Sequence, residues 1–229
     1  MLLYYITDRT QFPGDDNVRR SALLNKIAET AARGVDYIQL REKDLPTRDL
    51  ESLAQAAVRA VQESLQTRSG QPPSRLLINS RVDVAIACGA DGVHLRSQDV
   101  SPLDVRRVWS ARRNDPPVIG ISCHTVEQVA RAASEGADFA VFAPVFEKQN
   151  APNAPGIGLS FLRQACQQLV PVLALGGVTL ENARSCIAAG AAGIAGIRLF
   201  QTRNLTDVVR LLRSTPTEIP EEHRGKHKT

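Results

Sequence analysis

Eight short apolar runs recur along the chain, with stretches of helical apolar spacing between many of them. Each run is continuous in hydrophobicity, which is typical of parallel strands buried on both faces. The runs predict strands at residues 2–7, 36–41, 75–79, 92–95, 117–122, 139–145, 171–175 and 193–198, and the helical patterns cover residues 49–65, 126–134, 161–169 and 205–212. Thr47, Ser101 and Thr125 precede helical patterns and are predicted as helix caps.

A short pattern repeats four times and supports this alternation. Gly34, Gly89, Gly136 and Gly190 each stand where a helix must stop, and each is followed by a turn and an apolar strand. Their spacing is about two βα units, which places the copies before strands two, four, six and eight.

Eight strands alternating with helices in a chain of 229 residues predict an α/β fold, a single (β/α)₈ TIM barrel of parallel strands. The predicted barrel covers residues 1–213, and the polar, proline-containing segment 214–229 is predicted to be a disordered tail. An open doubly wound sheet is the alternative fold. It is disfavoured because no Gly-x-Gly-x-x-Gly turn follows the first strand.

Composition excludes several function classes. A hydrophobic content of 43% with 23% charged residues argues against wholesale disorder. An aromatic content of 4% is low for a protein that stacks on nucleic-acid bases, and no apolar run approaches the ~18 residues of a membrane span. The N-terminus lacks the features of a signal peptide, and the four cysteines show no metal-site spacing. We therefore predict a cytoplasmic protein without nucleic-acid or membrane partners, and a homo-oligomer is left open.

In a barrel of parallel strands, reactive side chains lie at the carboxyl ends of the strands. Alternation after strand two sends Gln39, Arg41 and Lys43 to one side, so an amide and two cations converge on the barrel mouth. That set suits an oligophosphate, because arginine forks onto phosphate oxygens and lysine supplies a point charge. The alternative is a surface salt-bridge cluster with Glu42 and Asp44.

Three other strand ends carry candidate chemistry. Asp99 follows strand four and is a candidate Mg²⁺ ligand, the alternative being a helix cap. His124 follows strand five and is a candidate acid, base or phosphate donor, the alternative being a structural histidine. Gly176 and Gly177 follow strand seven, where barrels of this type bind phosphate through backbone N–H groups, the alternative being helix packing.

The chain resembles the thiamine phosphate synthase family, which includes a sister branch of thiazole tautomerases. The resemblance covers roughly residues 2–212 in order, and the Gln-x-Arg-Glu-Lys run at 39–43 is its most specific motif. The other matching segments are residues 5–8, Asn79 with residues 82–85, residues 89–95, residues 122–125, and Gly176-Gly177.

The resemblance implies a transferase of thiamine biosynthesis. The synthases join 4-amino-2-methyl-5-hydroxymethylpyrimidine diphosphate to 4-methyl-5-(2-hydroxyethyl)thiazole phosphate and release diphosphate with the help of Mg²⁺. By resemblance, Arg41 and Lys43 hold the diphosphate, and Asp99 is a metal ligand. The remaining substrate-binding residues that the resemblance implies are Gln39, Asn79 and Ser122 near the diphosphate, and Gly176, Gly177, Ile197 and Arg198 near the thiazole phosphate.

Three positions depart from the synthase pattern. Ser80 stands where the synthases carry a second metal-binding aspartate, so we expect weakened Mg²⁺ binding. The loop after strand six lacks the usual Thr-x-Thr-Lys run, and Lys148 is expected to compensate. Arg198 replaces a small phosphate-binding serine.

These departures keep two alternatives open. One is a metal-independent thiazole tautomerase, in which His124 would move protons. The other is a catalytically inactive barrel that binds a phosphorylated ligand. Gln39, Lys43 and Asp99 are synthase-like, and they favour the synthase over the tautomerase.

Overall fold

The structure is a computed structural model that describes residues 1–65, 72–147 and 156–214 of the chain. Lys148 and the predicted tail beyond Ser214 lie outside the described residues. In chain order the elements are β1 (Leu2–Ile6), a 3₁₀ turn (Arg9–Gln11), α1 (Asp16–Ala32), β2 (Tyr37–Leu40), α2 (Thr47–Leu65), β3 (Arg75–Asn79), α3 (Val82–Cys88), β4 (Gly92–Leu95), α4 (Pro102–Ser110), β5 (Val118–Cys123), α5 (Val126–Ser134), β6 (Phe139–Phe142), α6 (Leu159–Ala165), β7 (Val172–Ala174), α7 (Leu180–Ala188), β8 (Gly193–Gly196) and α8 (Leu205–Arg213).

The eight strands pair in parallel and in chain order, and β8 pairs with β1 to close the barrel. The predicted (β/α)₈ barrel is thereby confirmed. Ser101 and Thr125 are the N-caps of α4 and α5, as predicted. The prediction of Thr47 as a cap was wrong, because Thr47 is already the first residue of α2.

Five strands, β1, β2, β6, β7 and β8, are shorter than the apolar runs predicted, and the early ends of β6 and β8 affect the barrel mouth. β6 ends at Phe142 because Pro144, two residues on, has no N–H for the ladder. β8 ends at Gly196 because the Ile197 carbonyl accepts the N–H groups of Phe200 and Gln201 and turns the chain. Ile197 and Arg198 therefore lie in the loop after β8 instead of in the strand.

The strands are apolar throughout because each lies between two cores. Side chains on their outer faces pack against the helices, while the barrel interior holds a second apolar cluster. Tyr37 and Phe139 stack there with ring centroids 4.8 Å apart, and Tyr4 meets Phe139 edge to face at 5.2 Å. Three of the chain's aromatic residues, Tyr4, Tyr37 and Phe139, thus lie in the barrel interior, in geometries favoured by ring pairs.

The repeated glycine pattern has a structural role at the amino-terminal face of the barrel. In three of its four copies an aspartate follows the glycine by two residues, and its carboxylate accepts an N–H from the preceding strand. We call these three residues, Asp36, Asp91 and Asp138, the aspartate clasps. The bonds are Leu3 N to Asp36 Oδ2 at 2.6 Å, Leu76 N to Asp91 Oδ2 at 2.8 Å and Ile119 N to Asp138 Oδ2 at 2.7 Å.

The three carboxylates link β1 to β2, β3 to β4 and β5 to β6. Each of them also forms an ion pair with an arginine. Arg213 of α8 lies 2.8 Å from Asp36, and Arg106 of α4 lies 3.1 Å from Asp138. The fourth copy carries Ala192, which has no carboxylate for the β7–β8 pair.

Two further observations concern the hydrophobicity of the helices and the reactivity of the thiols in the described residues. No helix among them has the length and hydrophobicity needed to cross a bilayer. The four cysteines are free thiols, and burial raises the pKa of Cys123 and Cys186 to about 12 and that of Cys166 to about 11. Thiols with such pKa values are poor nucleophiles.

Replacing Asp138 with alanine tests the clasps. We expect the free energy of unfolding to fall by about 1–3 kcal/mol, because a buried strand N–H loses its acceptor. Urea unfolding followed by circular dichroism measures the change. The matched control is Asp207→Ala, which removes an exposed ion pair with Arg210 and is expected to lower the free energy of unfolding less than Asp138→Ala does. Equal losses in the two variants would contradict the clasp.

Candidate active site

A buried carboxylate organises the mouth between β1 and β2. Glu42 is 5% exposed, and its oxygens accept the Thr7 hydroxyl at 2.6 Å and the Arg9 backbone N–H at 3.1 Å. The Arg9 guanidinium approaches Glu42 at 3.2 Å and forks onto both oxygens of Asp44 at 2.6 and 2.7 Å. Burial raises the pKa of Glu42, although the bonds from Thr7 and Arg9 oppose that rise.

Because Arg9 binds both Glu42 and Asp44, these acids do not pair with the two cations that follow β2. Among the described residues, neither Arg41 nor Lys43 makes an ion pair. The backbone N–H of Arg41 donates to Thr7 Oγ1 at 2.9 Å, which fixes this part of the chain. The Arg41 charge, burial and the Arg96 charge lower the pKa of Lys43. The mouth thus has an excess of positive charge, as an anion site requires.

A chain of hydrogen bonds runs from the barrel interior to the mouth. The Tyr4 hydroxyl lies 3.1 Å from His94 Nδ1, and His94 Nε2 lies 2.8 Å from Ser122 Oγ. Burial and the Arg41 charge lower the pKa of His94 to about 3, so its ring is neutral. A β-carbon at position 120 would lie 2.9 Å from His94 Nδ1, so Gly120 provides the space for this ring.

The proton positions follow from a requirement that each buried donor has an acceptor. Within the described residues Tyr4 has no other partner for its hydroxyl, so it donates to His94 Nδ1. The single ring proton is then on Nε2 and is donated to Ser122 Oγ. Ser122 is thereby left with its own hydroxyl proton free to donate to a ligand in the mouth.

Gln39 lies in the barrel interior on the inward side of β2, 1% exposed. Its Nε2 has no hydrogen-bond partner among the described residues. An unpartnered buried amide is costly, and a ligand oxygen would relieve that cost. Asn79, at the end of β3, donates from Nδ2 to Ser80 Oγ at 3.3 Å.

Asp99 is surrounded by protein donors. Its Oδ1 accepts Nε and Nη2 of Arg96 at 3.0 and 2.8 Å, and its Oδ2 accepts the Arg96 backbone N–H at 2.8 Å and the Ser80 hydroxyl at 2.7 Å. Burial raises the pKa of Asp99, but the bonds from Arg96 and Ser80 outweigh it, and the pKa is lowered.

This donor set does not fit Mg²⁺. The cation needs free oxygen lone pairs, and a carboxylate offers about four, all of which Arg96 and Ser80 engage here. Ser80 donates its hydroxyl proton to Asp99. A carboxylate at position 80 would instead offer oxygen lone pairs to a cation. Among the described residues, no group of three acidic, histidine or cysteine side chains could hold a metal ion.

A second part of the mouth is a cleft of about 900 Å³ at the ends of β7 and β8, lined by Gln11 and residues 175–181 and 195–199. It brings together four predicted residues, Gly176, Gly177, Ile197 and Arg198. The other predicted residues in the described part of the chain lie outside its lining, at the ends of β2 to β5. The mouth thus offers two separate places for anionic groups.

Gly176 and Gly177 are required by packing between two loops. Both have positive φ, 92° and 64°. A β-carbon at Gly176 would lie 2.6 Å from Pro144 Cα, and one at Gly177 would lie 2.6 Å from the Glu147 carbonyl oxygen. Phe146 N also donates to the Gly176 carbonyl at 3.0 Å. The loop after β6 therefore forms one wall beside the cleft.

His124 is exposed on the loop after β5, outside the lining of the cleft. Its Nδ1 lies 2.7 Å from the Ala143 carbonyl oxygen, and its backbone N–H donates to Gln128 Oε1 at 2.7 Å. Because a carbonyl oxygen only accepts, Nδ1 carries a proton in this contact.

Sequence reasoning missed three residues of the mouth: His94, Arg96 and Arg9. The alternation that selected Gln39 and Arg41 after strand two would also have selected His94 and Arg96 in strand four. Arg9 carries no such signal, because it lies in a 3₁₀ turn and meets Glu42 only in the fold.

Comparison with known proteins agrees with this architecture. A family model described as thiamine monophosphate synthase matches residues 3–200. The chain is 40% identical to a putative thiamine-phosphate synthase 2 of Aquifex aeolicus over 86% of this chain and 96% of that protein. It is 42% identical to a thiamine-phosphate synthase of Methanoculleus marisnigri over 85% of each. A solved thiamine phosphate pyrophosphorylase from Pyrococcus furiosus matches with a TM-score of 0.73 and 28% identity over 93% of each chain.

The neutral state of His94 predicts a pH-dependent stability. Between pH about 6.5 and about 3 the unfolded chain binds a proton that folded His94 excludes, so the free energy of unfolding falls as the pH is lowered through this window. We expect His94→Gln, which cannot titrate, to show a shallower fall from pH 6.5 to 5. Urea unfolding at several pH values measures both slopes. Parallel curves for the two proteins would contradict a neutral buried His94.

Proposed function

This chain belongs to the thiamine monophosphate synthase family, and from that premise we propose that it is a thiamine-phosphate diphosphorylase. It joins the hydroxymethylpyrimidine diphosphate to the thiazole phosphate and releases diphosphate. The observation that carries this proposal is the pair of cations that follow β2. In the part of the chain that the structure describes, Arg41 and Lys43 pair with no acid, because Arg9 binds Glu42 and Asp44.

The reaction breaks a carbon–oxygen bond and forms a carbon–nitrogen bond. The electron pair of the breaking bond goes to the departing diphosphate oxygen, and the thiazole nitrogen supplies the pair of the new bond. No proton is transferred in this step. The protein's task is therefore to neutralise charge that grows on the leaving group and to align the two reactants. Arg41 and Lys43 supply that neutralisation in our proposal.

Uncharged donors complete the diphosphate site. Ser122 accepts a hydrogen bond from His94, and its own hydroxyl proton has no acceptor among the residues at positions 1–65, 72–147 and 156–214. Because its partner His94 is held neutral, Ser122 stays a donor across the ordinary pH range. Gln39 contributes its buried Nε2, which lacks a partner within those same ranges, and Asn79 lies at the adjacent strand end. Preorganised donors of this kind act without reorganising during the reaction.

We assign the thiazole phosphate to the cleft at the ends of β7 and β8. Gly176 and Gly177 expose backbone there, and α7 begins at the edge of the cleft with Thr179 as its cap. Helix N-termini and backbone N–H groups favour anions. Ile197 and Arg198 form the opposite side, where the arginine can fork onto a phosphate.

The family implies Mg²⁺, but the donors around Asp99 do not fit that ion, and our proposal contains no step that depends on it. Asp99 instead positions Arg96, and Lys148 remains a prediction outside the described residues. The partners we propose are the two small phosphorylated substrates. Because both are anionic intermediates of biosynthesis, a cytoplasmic location suits the enzyme.

The test is a thiochrome fluorescence assay of thiamine phosphate formed from the two substrates. We expect product with the wild-type protein, and a loss of at least about tenfold in kcat/KM for Arg41→Ala and for Lys43→Ala, the scale of one charge-assisted contact. The control is Arg107→Ala, an exposed arginine of α4 paired with Asp104, which should leave kcat/KM unchanged. Folded wild-type protein that forms no product would reject the proposed function.

His124 separates the synthase from the tautomerase. In the synthase reaction His124→Ala is expected to change kcat by less than about tenfold, because no proton moves. A tautomerase that used this residue as acid and base would lose about 10²–10⁴-fold. The comparison uses two assays on the same variant, thiamine phosphate formation and aromatisation of the thiazole carboxylate phosphate. Wild-type turnover only in the second assay, abolished in the variant, would favour the tautomerase.

A further inference from the structure

A salt bridge stands at the mouth where the family implies a metal ion. Resting on the proposed function, we propose that Arg96, fixed by Asp99, binds the diphosphate together with Arg41 and Lys43 and replaces the divalent cation. The three cations follow β2 and β4, which flank β3 in the barrel. The chain would then bind and release diphosphate without metal.

The first argument is that Asp99 holds the Arg96 side chain in place by accepting its hydrogen bonds. Its side chain is 11% exposed, and each of its oxygens accepts two donors, as described above. Ser80 adopts a positive φ of 59°, which is uncommon outside glycine, and in this conformation its hydroxyl donates to Asp99. Ser80 and Asp99 together form a support for the guanidinium.

The second argument is that Arg96 keeps donors for a ligand. A guanidinium has five N–H groups, and the bonds to Asp99 use Nε and one hydrogen of Nη2. The remaining hydrogens are not engaged by Asp99, and the side chain is 67% exposed. An arginine held on one edge by a carboxylate presents its other edge with little loss of rotamer freedom on binding.

The third argument is charge. Arginine, lysine and Mg²⁺ serve the same purpose in phosphoryl sites, which is to neutralise oxygens that gain charge. Arg96 lies near enough to contribute to the lowered pKa of Lys43, so the two cations share one region of the mouth. Replacing Ser80 with a second carboxylate would add negative charge beside Asp99 and favour the binding of Mg²⁺ there.

Isothermal titration calorimetry with inorganic diphosphate tests the inference on the full chain. Wild-type protein is titrated in EDTA and again in excess Mg²⁺. We expect binding in EDTA, and Mg²⁺ should leave the Kd unchanged or raise it, because Mg²⁺ sequesters free diphosphate. Arg96→Gln should raise the Kd in EDTA about tenfold or more, with Arg96→Lys between the two. Arg107→Gln, from another exposed arginine paired at i,i+3, should match the wild type.

A second variant is designed so that Mg²⁺ lowers the Kd for diphosphate instead of leaving it unchanged or raising it. In Ser80→Asp with Arg96→Gln, two carboxylates face each other without the guanidinium, and position 80 accepts aspartate because Asp tolerates positive φ. We expect this double variant to bind diphosphate more tightly with Mg²⁺ than with EDTA. Circular dichroism confirms that each variant is folded before titration.

The outcomes separate the two claims. Wild-type binding that requires Mg²⁺, or equal Kd values for wild type and Arg96→Gln in EDTA, would overturn the role of Arg96 and leave the proposed function standing. Absence of diphosphate binding in both media would overturn the inference and the proposed diphosphate site together. Thiamine phosphate formation in EDTA by the wild type, reduced in Arg96→Gln, would support the inference in turnover.

Discussion

The carboxylate of Glu42 is buried between the ends of β1 and β2, and the charge of the whole mouth depends on how it is neutralised. Glu42 and Asp44 lie on either side of Lys43 in sequence and could have paired with the neighbouring cations. Arg9 arrives from the preceding strand's loop and binds both acids instead. This placement keeps Arg41 and Lys43 available for an anion. Glu42 also joins the first two strand ends, because it accepts the Thr7 hydroxyl while Thr7 Oγ1 accepts the Arg41 N–H.

The fold was predictable because it depends on local regularities. Continuous apolar runs, helix caps and repeated glycines predicted eight strands in the right order, and errors occurred at strand ends, where Pro144 and the Ile197 turn stop pairing. In the site, alternation placed Gln39 on the inward side of β2 with Arg41 and Lys43 beyond it. Contacts between distant residues were not predictable: Arg9 with Glu42, Tyr4 with His94, and the orientation of Ser122 are set by barrel closure, which sequence periodicity does not encode.

Ser80, a departure from the family pattern, and Arg96, a residue that sequence reasoning missed, form one unit in the structure. Taken alone, Ser80 indicates the loss of a metal ligand, and Arg96 is simply an exposed arginine. Their shared bonds to Asp99 give them a common role, because the serine and the aspartate hold a cation that is part of the chain. Likewise, Gly176 and Gly177 read as anion-binding glycines, whereas the structure shows that the approach of the loop after β6 also requires them.

The aspartate clasps have a consequence for how the barrel can be taken apart. The strand N–H to carboxylate bond of each clasp lies inside one pair of consecutive strands, whereas the ion pairs of Asp36 with Arg213 and of Asp138 with Arg106 reach outside that pair. The three bonds therefore close the first six strands into three pairs. A break in the connection between α4 and β5 leaves all three bonds intact and gives two halves with complete strand pairs. A break between α1 and β2 separates Asp36 from Leu3. Fragment complementation and circular permutation should therefore tolerate the first break better than the second.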